Sequence, residues 1–304
     1  MSSQQALVDL SLIPTSKPSL AVRIGHTAFS IMWVFFWLVV LRMLVRAMLG
    51  RGAHPTVLLI SFVLYAVAWT LVLWHAAYRS TDAPNRDTTS RERPKRLLIV
   101  GATGGTGRQL VTQALERGYE VTAFVRDLSR LQIDHPRLRI AQGDVLDYAT
   151  VETAMRGQEA VVSALGHKRF LYPTRILSGG TRNVLRAMDA EGVARVVCQT
   201  SLGIGDSAGR LGLYFTLFTI PVVLPFYFWD KCRQERMIAE SNREWVIVRP
   251  GMLTNAHKRE RLRHGSRVGN LFSTVRIARA DVAHFMLDQL ESDTYLRSAV
   301  GVAW

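Results

Sequence analysis

Hydrophobic and polar positions follow three different rhythms along the 304 residues of the chain. Residues 24–41, IGHTAFSIMWVFFWLVVL, and residues 52–78, GAHPTVLLISFVLYAVAWTLVLWHAAY, contain no Asp, Glu, Lys or Arg. Each run is long enough to cross a bilayer as a helix. Neither shows the polar face expected of a core helix. They predict a transmembrane hairpin over 24–78, with spans at about 24–45 and 56–78, after an N-terminal tail over 1–23. Residues 80–95, STDAPNRDTTSRERPK, are polar with two prolines and no apolar period. They predict a linker over 79–95.

From Arg96 the rhythm changes to short β-rich runs alternating with helical ones. Strands are predicted at 96–102, 120–126, 138–144, 160–166, 195–201 and 244–250. Helices are predicted from the glycine-rich turn to about Arg117 and at 148–156, 173–191 and 231–241. Such alternation implies right-handed βαβ units and a parallel sheet covered on both faces. The near-continuous apolar character of the strands agrees, because strands buried on both sides lose the period of two. The fold class expected is α/β, a Rossmann-like doubly wound parallel sheet over 96–304, preceded by two transmembrane helices.

Charge sets the expected orientation. The loop between the spans carries Arg42, Arg46 and Arg51, whereas the flanks carry Lys17, Arg23, Arg79, Arg86, Arg91, Arg93, Lys95 and Arg96. Three against eight points to both termini in the cytoplasm, hence a two-pass membrane protein with a cytoplasmic α/β domain. The net charge of +14 comes with no nucleic-acid motif, so an anionic membrane surface accounts for it more simply. Cys198 and Cys232 show neither disulfide nor metal spacing. No metal site is expected. Cys198 falls in a predicted core strand and reads as a small inert hydrophobe.

The first strand runs into GATGGTGR, where Gly101, Gly104 and Gly107 stand in the spacing G-x-x-G-x-x-G. Glycines there permit a tight turn and bring backbone amides close to a pyrophosphate, whose charge the next helix N-terminus stabilises. The second strand ends at Arg126. An arginine in place of an acid at this point favours a ribose 2′-phosphate over a 2′-hydroxyl. Arg130 and Arg108 are placed to add to the clamp. The expected cofactor is therefore NADP(H).

These motifs, with VRDLSRL (125–131), GDVLDYATVETAMRGQEAVVSALG (143–166), TRNVLRAM (181–188) and RADVAHFMLDQL (279–290) in order, resemble a branch of the atypical short-chain dehydrogenases. That branch comprises the biliverdin-IXβ and flavin reductases. The resemblance covers about 96–304 and excludes the hairpin. It implies that Gly101, Thr103, Gly104, Gly105, Thr106 and Gly107 bind the pyrophosphate and Arg126 the 2′-phosphate. It puts Asp144 and Val145 at the adenine and Ala164, Leu165 and Gly166 along the cofactor. Thr200, Ser201 and Pro250 would then border the nicotinamide.

Around that nicotinamide, residues 211–229, LGLYFTLFTIPVVLPFYFW, form an uncharged stretch. Pro221 and Pro225 argue against a regular helix, so it is expected to be a lid over an apolar substrate. Ser201, Tyr227 and Lys231 follow the order of the Ser–Tyr–Lys set of extended short-chain dehydrogenases. Lys231 would lower the pKa of Tyr227, and Tyr227 would protonate the reduced acceptor. This requires both on one helix, one turn apart, which Pro225 at a first helical position allows. Asp230, a good N-cap, would instead start the helix at Lys231 and leave Tyr227 as a lid aromatic. His167 and Lys168 are weaker candidates, and His284 reads as structural. Helix 231–241 reads as a solvated charged face. The expected function is a membrane-anchored NADPH-dependent reductase of a flavin, bilin or quinone-like acceptor, the acceptor being a small and lipid-soluble molecule. The alternative is an NADPH-binding sensor or structural subunit of a membrane complex, with a membrane-protein partner held through the hairpin.

Overall fold

The computed structural model describes residues 93–304 except 171 and 260, together with residues 39 and 42. Residues 93–304 fall within one compact unit, Leu73–Trp304. Its centre is an eight-stranded sheet in the order β3-β2-β1-β4-β5-β6-β10-β8. The strands are β1 (Arg96–Val100), β2 (Glu120–Val125), β3 (Leu138–Gln142), β4 (Ala160–Ser163), β5 (Arg195–Gln199), β6 (Glu244–Pro250), β8 (Arg263–Gly265) and β10 (Ser298–Ala303). A separate pair joins β7 (Met252–Thr254) to β9 (Arg276–Ala278) in parallel. The large sheet is parallel except for β8, which pairs antiparallel to β10 at one edge.

Among the described residues, five α-helices cover the sheet: α1 (Gly105–Glu116), α2 (Tyr148–Met155), α3 (Ile176–Ala190), α4 (Pro225–Ala239) and α5 (Arg279–Asp288). Successive strand side chains point to opposite faces, and β1 shows the consequence. Leu97 and Ile99 enter a core with Leu110, Val111, Val282 and Met286 of α1 and α5. Leu98 and Val100 enter a second core with Val151, Met155, Val184, Met188 and Ile238 of α2, α3 and α4. Two cores on the two faces of one parallel sheet are what doubly wound connections require.

Most predicted elements lie within two or three residues of the observed ones, and β6 coincides with its prediction. The larger departure is α4, which begins at Pro225 and not at Lys231. The C-terminal β10, which pairs with β6 through Ser298–Val246 to Val302–Pro250, had no predicted counterpart.

The expected two-pass membrane localisation is corrected. Among the described residues no helix is long and apolar enough to cross a membrane. Apart from residues 39 and 42, the two expected spans, 24–45 and 56–78, lie outside the described residues. The uncharged stretch 211–229 breaks into an isolated bridge from Leu211 to Asn270, a π-helical segment Phe215–Val223 containing Pro221, and the first turn of α4. Pro221 has no N–H to donate, and Pro225 sits in the first turn of α4, where a missing donor costs nothing.

At the junction of β1 and α1, a Cβ on Gly107 would lie 2.0 Å from the Gly101 carbonyl oxygen and 2.8 Å from Ala102 Cα. Gly107→Ala is expected to lower stability by about 1–3 kcal/mol through overpacking. Thermal unfolding checks this, and an unchanged midpoint would contradict the close approach.

Candidate cofactor and active site

The strand order reverses between β1 and β4, and in open α/β sheets ligands lie beyond the strand ends at such a reversal. Gly101 follows β1 with φ +81°, and a Cβ there would lie 2.7 Å from the carbonyl oxygen of Ala164, just after β4. The two strand ends therefore meet backbone to backbone, which only glycine allows. Gly104 is the extended N-cap of α1; its amide donates to the Gly101 carbonyl (3.0 Å) and its carbonyl accepts from Arg108 (2.9 Å). No side chain caps α1 and no acid stands in its first turn. The amides of Gly105, Thr106 and Gly107 are thus open, as the first N–H groups of any helix are unless something caps them. Thr106 is buried and Thr103 half-buried beside them. An uncapped helix start with a side-chain-free floor fits a pyrophosphate.

Arg126 is exposed directly after β2, and its guanidinium bonds to no described side chain or carbonyl; its own carbonyl accepts from Gln142 (3.3 Å). The next carboxylate, Asp127, is turned back on Ser129, accepting from its amide (3.0 Å) and hydroxyl (2.7 Å). Those bonds hold the Asp127 carboxyl below the usual range. Arg108 donates to the Arg130 carbonyl (3.1 Å), tying α1 to the 3-10 turn Leu128–Arg130. Past β3, the Asp144 carboxylate accepts from the Leu146 amide (2.9 Å). Val145 is buried, its carbonyl taken by Asn183 of α3 (3.0 Å). Gly180 of α3 leaves room for it, since a Cβ there would lie 2.7 Å from a Val145 methyl.

On the far side of β4, α4 carries both Tyr227 and Lys231, one turn apart. The Lys231 ammonium lies 5.3 Å from the Tyr227 ring centroid. Lys231 is buried, and no hydrogen-bond acceptor among the described residues meets its ammonium. The Tyr227 hydroxyl lies 3.5 Å from where a Gly166 Cβ would stand, so it reaches the continuation of β4. His167 and Phe170 pack edge-on to Tyr227, with ring centroids 4.9 and 5.5 Å away.

Asp230 does not begin the helix. It is fully buried and caps a different one: its carboxylate accepts from the Leu177 amide (2.8 Å), the Ser178 amide (3.2 Å) and the Ser178 hydroxyl (2.5 Å) at the start of α3. The α3 N-cap residue, Arg175, supplies no side-chain bond of its own. The expectation of a solvated charged face on this helix is likewise corrected, because Asp230, Lys231, Gln234 and Glu235 are all buried.

Thr200, after β5, donates to Glu235 (2.5 Å). Glu235 accepts two bonds from Arg249 of β6 (3.0 and 2.7 Å), and Arg249 also donates to Asp206. Burial pulls the Arg249 guanidinium down, but the two carboxylates outweigh it and hold it above its ordinary value. Pro250 is buried, its carbonyl accepting from Leu202 (3.0 Å). Ser201 donates to the Leu202 carbonyl (2.9 Å), and it forms no hydrogen bond to Tyr227 or Lys231. Cys198 is buried, and burial pushes its thiol up to about 11, leaving it inert at neutral pH. His284 lies on α5 beside Arg117 and Lys258, away from this cluster. Glu235 and Arg249 had no role expected from the sequence, and Asp230 was expected only to cap its own helix. The spacing of four from Tyr227 through Lys231 to Glu235, which puts all three on one helix face, was the available signal.

A doubly wound sheet with an uncapped glycine-rich helix start at its switch point defines a dinucleotide-binding Rossmann fold. Residues 101–293 match the NAD(P)H-binding family, and the chain belongs to it. It is 31% identical over 192 residues to an uncharacterised chloroplastic protein of Arabidopsis thaliana, covering 59% of this chain and 66% of that one. The chain spans 66% of the length of that relative and about a third of the length of others, such as mycobacterial 3-beta-hydroxysteroid dehydrogenases. Among solved structures, a wide-type short-chain dehydrogenase/reductase of Veillonella parvula in complex with NADP is similar with a TM-score of 0.59. It is 20% identical, covering 69% of this chain and 95% of that one. An anaerobilin reductase of Escherichia coli is similar with a TM-score of 0.57 and 22% identity, covering 68% of this chain and 96% of that one. These likenesses place the chain among Rossmann-fold, NAD(P)H-binding proteins.

Asp230→Ala would leave two buried amides and a hydroxyl without an acceptor. It is expected to cost about 2–4 kcal/mol, with Asp230→Asn milder, as read by urea unfolding. His167 gives a pH dependence. Burial holds its imidazole below the usual value; Asp230 opposes this, and Lys231, Arg169 and Arg126 reinforce it. The unfolded chain then takes up the proton first, so stability falls as pH drops below about 6.5. Comparing unfolding midpoints at pH 8 and 5.5 should show a smaller drop in His167→Gln than in the wild type.

Proposed function

We propose that the chain is an NADPH-dependent reductase that passes hydride to a flavin, bilin or quinone-like acceptor. The observation that carries the reading is the Tyr227 hydroxyl at the β4 end with the buried Lys231 ammonium one turn behind it. In this reading the open amides of Gly105, Thr106 and Gly107, with Gly101, Thr103 and Gly104, hold the pyrophosphate. Arg126, with Arg130 and Arg108 near it, holds the 2′-phosphate, and the lack of a partner for its guanidinium among the described residues supports NADPH over NADH. Asp144 and Val145 border the adenine, and Ala164, Leu165 and Gly166 run beneath the cofactor. Thr200 and Pro250 border the nicotinamide.

When bound, NADPH supplies a hydride, two electrons with one proton. The remaining proton comes from Tyr227 to the acceptor atom that becomes basic, and Lys231 stabilises the tyrosinate left behind. Ser201 orients the acceptor. Tyr214, Phe218 and Val223, exposed on and beside the π-helical segment, support an apolar, lipid-soluble acceptor. The anaerobilin reductase among the structural neighbours makes a tetrapyrrole the first to try.

The test is NADPH oxidation by the full-length chain with FMN, biliverdin or a short-chain quinone. Turnover of at least one acceptor is expected. Tyr227→Phe should slow it about 100-fold or more with NADPH affinity kept. Arg126→Met should raise the KM for NADPH about tenfold or more and leave that for NADH nearly unchanged. Tight NADPH binding with no acceptor reduced would replace this reading by a binding role without turnover.

A further inference from the structure

Arg279 opens α5, far in sequence from the glycine loop, yet its side chain lies on Gly105 at the start of α1. A Cβ on Gly105 would stand 2.5 Å from Arg279 Cδ and 2.6 Å from Nε. Any side chain at 105 would therefore displace the arginine. One end of the guanidinium is pinned, with Nη1 donating to Asn255 Oδ1 (2.6 Å). Its other N–H groups meet no acceptor among the described residues. The nearest acid on its own helix, Asp281, is fully buried and occupied by the Arg259 amide and the Trp304 indole (2.8 Å).

The electrostatics of this placement are adverse as they stand. A helix N-terminus carries partial positive charge and favours anions. Arg279 occupies the N-terminus of α5 and also lies against that of α1, which has no acid in its first turn and already carries Arg108 there. A cation held between two positive helix ends makes sense when an anion lies among them.

We infer that Arg279 is a cofactor-binding residue, a lateral clamp on the pyrophosphate of NAD(P)H that works with the α1 amides and is aimed by Asn255. Gly105 is required for the passage of this arginine as well as for the approach of the phosphate. The inference rests on the assignment of the nicotinamide cofactor and is independent of the acceptor.

Binding to the full-length chain, without any acceptor, tests it. The probes are NADPH and adenosine 2′-monophosphate, which keeps the adenine and 2′-phosphate but lacks the pyrophosphate. Arg279→Met should weaken NADPH about 10- to 100-fold, the range for a charge-assisted phosphate contact, and leave adenosine 2′-monophosphate within about twofold. Arg279→Lys should fall between. Gly105→Ala should weaken NADPH, and adding Arg279→Met to it should cost little more, because the arginine is already displaced. Wild-type NADPH affinity in Arg279→Met, or equal loss of both probes, would overturn the inference. Lost turnover with this pattern intact would count against the reductase reading alone.

Discussion

A buried carboxylate organises the α4 side of this molecule. Asp230 sits on α4 but spends its hydrogen-bonding capacity on the first amides of α3 and on Ser178. The arrangement satisfies an orphaned helix start and places negative charge at a positive helix end. It also fixes the position of α4 along α3. Tyr227 and Lys231 flank Asp230 on the same helix, so their place beside the β4 continuation is set by a bond that neither makes. On the other side of α4, Glu235 ties the helix to Arg249 of β6 and to Thr200 after β5. Two buried polar anchors, one at each helix neighbour, thus hold a single face of α4 toward the sheet's carboxyl ends.

The cofactor side depends on backbone and on cations that form no ion pair among the described residues. Gly101 lets β1 and β4 touch, and Gly107 lets α1 begin against β1. The same absence of side chains leaves the α1 amides open. Around them stand Arg126 and Arg279, each with donors that no described protein group uses. Arg108 and Arg130 are close by. Positive charge that no described carboxylate bridges directly is costly in an empty protein and favourable when a phosphate-rich ligand is present.

The sheet and the glycine loop were legible because short-range chemistry dictates them. Apolar runs such as RLLIV and EWVIV are buried on both faces, and glycine spacing between strand and helix has few other uses. The start of α4 was ambiguous because two local signals competed. Asp230 favours an N-cap and Pro225 a first turn, and only the tertiary contact with α3 decides that Asp230 caps a neighbour. The charged residues of α4 were read as solvated because a sequence pattern equates charge with exposure. Glu235 and Asp230 escape that rule through partners more than 10 residues away, Arg249 and Ser178. Likewise β10, SAVGVA, is too short and too rich in small residues to declare itself before β6 offers it an edge. Arg279 heads the motif RADVAHFMLDQL, but nothing local tied it to Gly105, since that relation spans 174 positions.

In the proposed arrangement the dinucleotide lies across the switch point, against the α1 start, with α4 facing its reactive end. Hydrogen–deuterium exchange of the full-length protein with and without NADPH tests it most directly. Slowed exchange is expected in 101–108, in 164–167 and in 200–204, with β7 and β8 unchanged. Protection confined to other segments, or none at 101–108 under saturating NADPH, would contradict it.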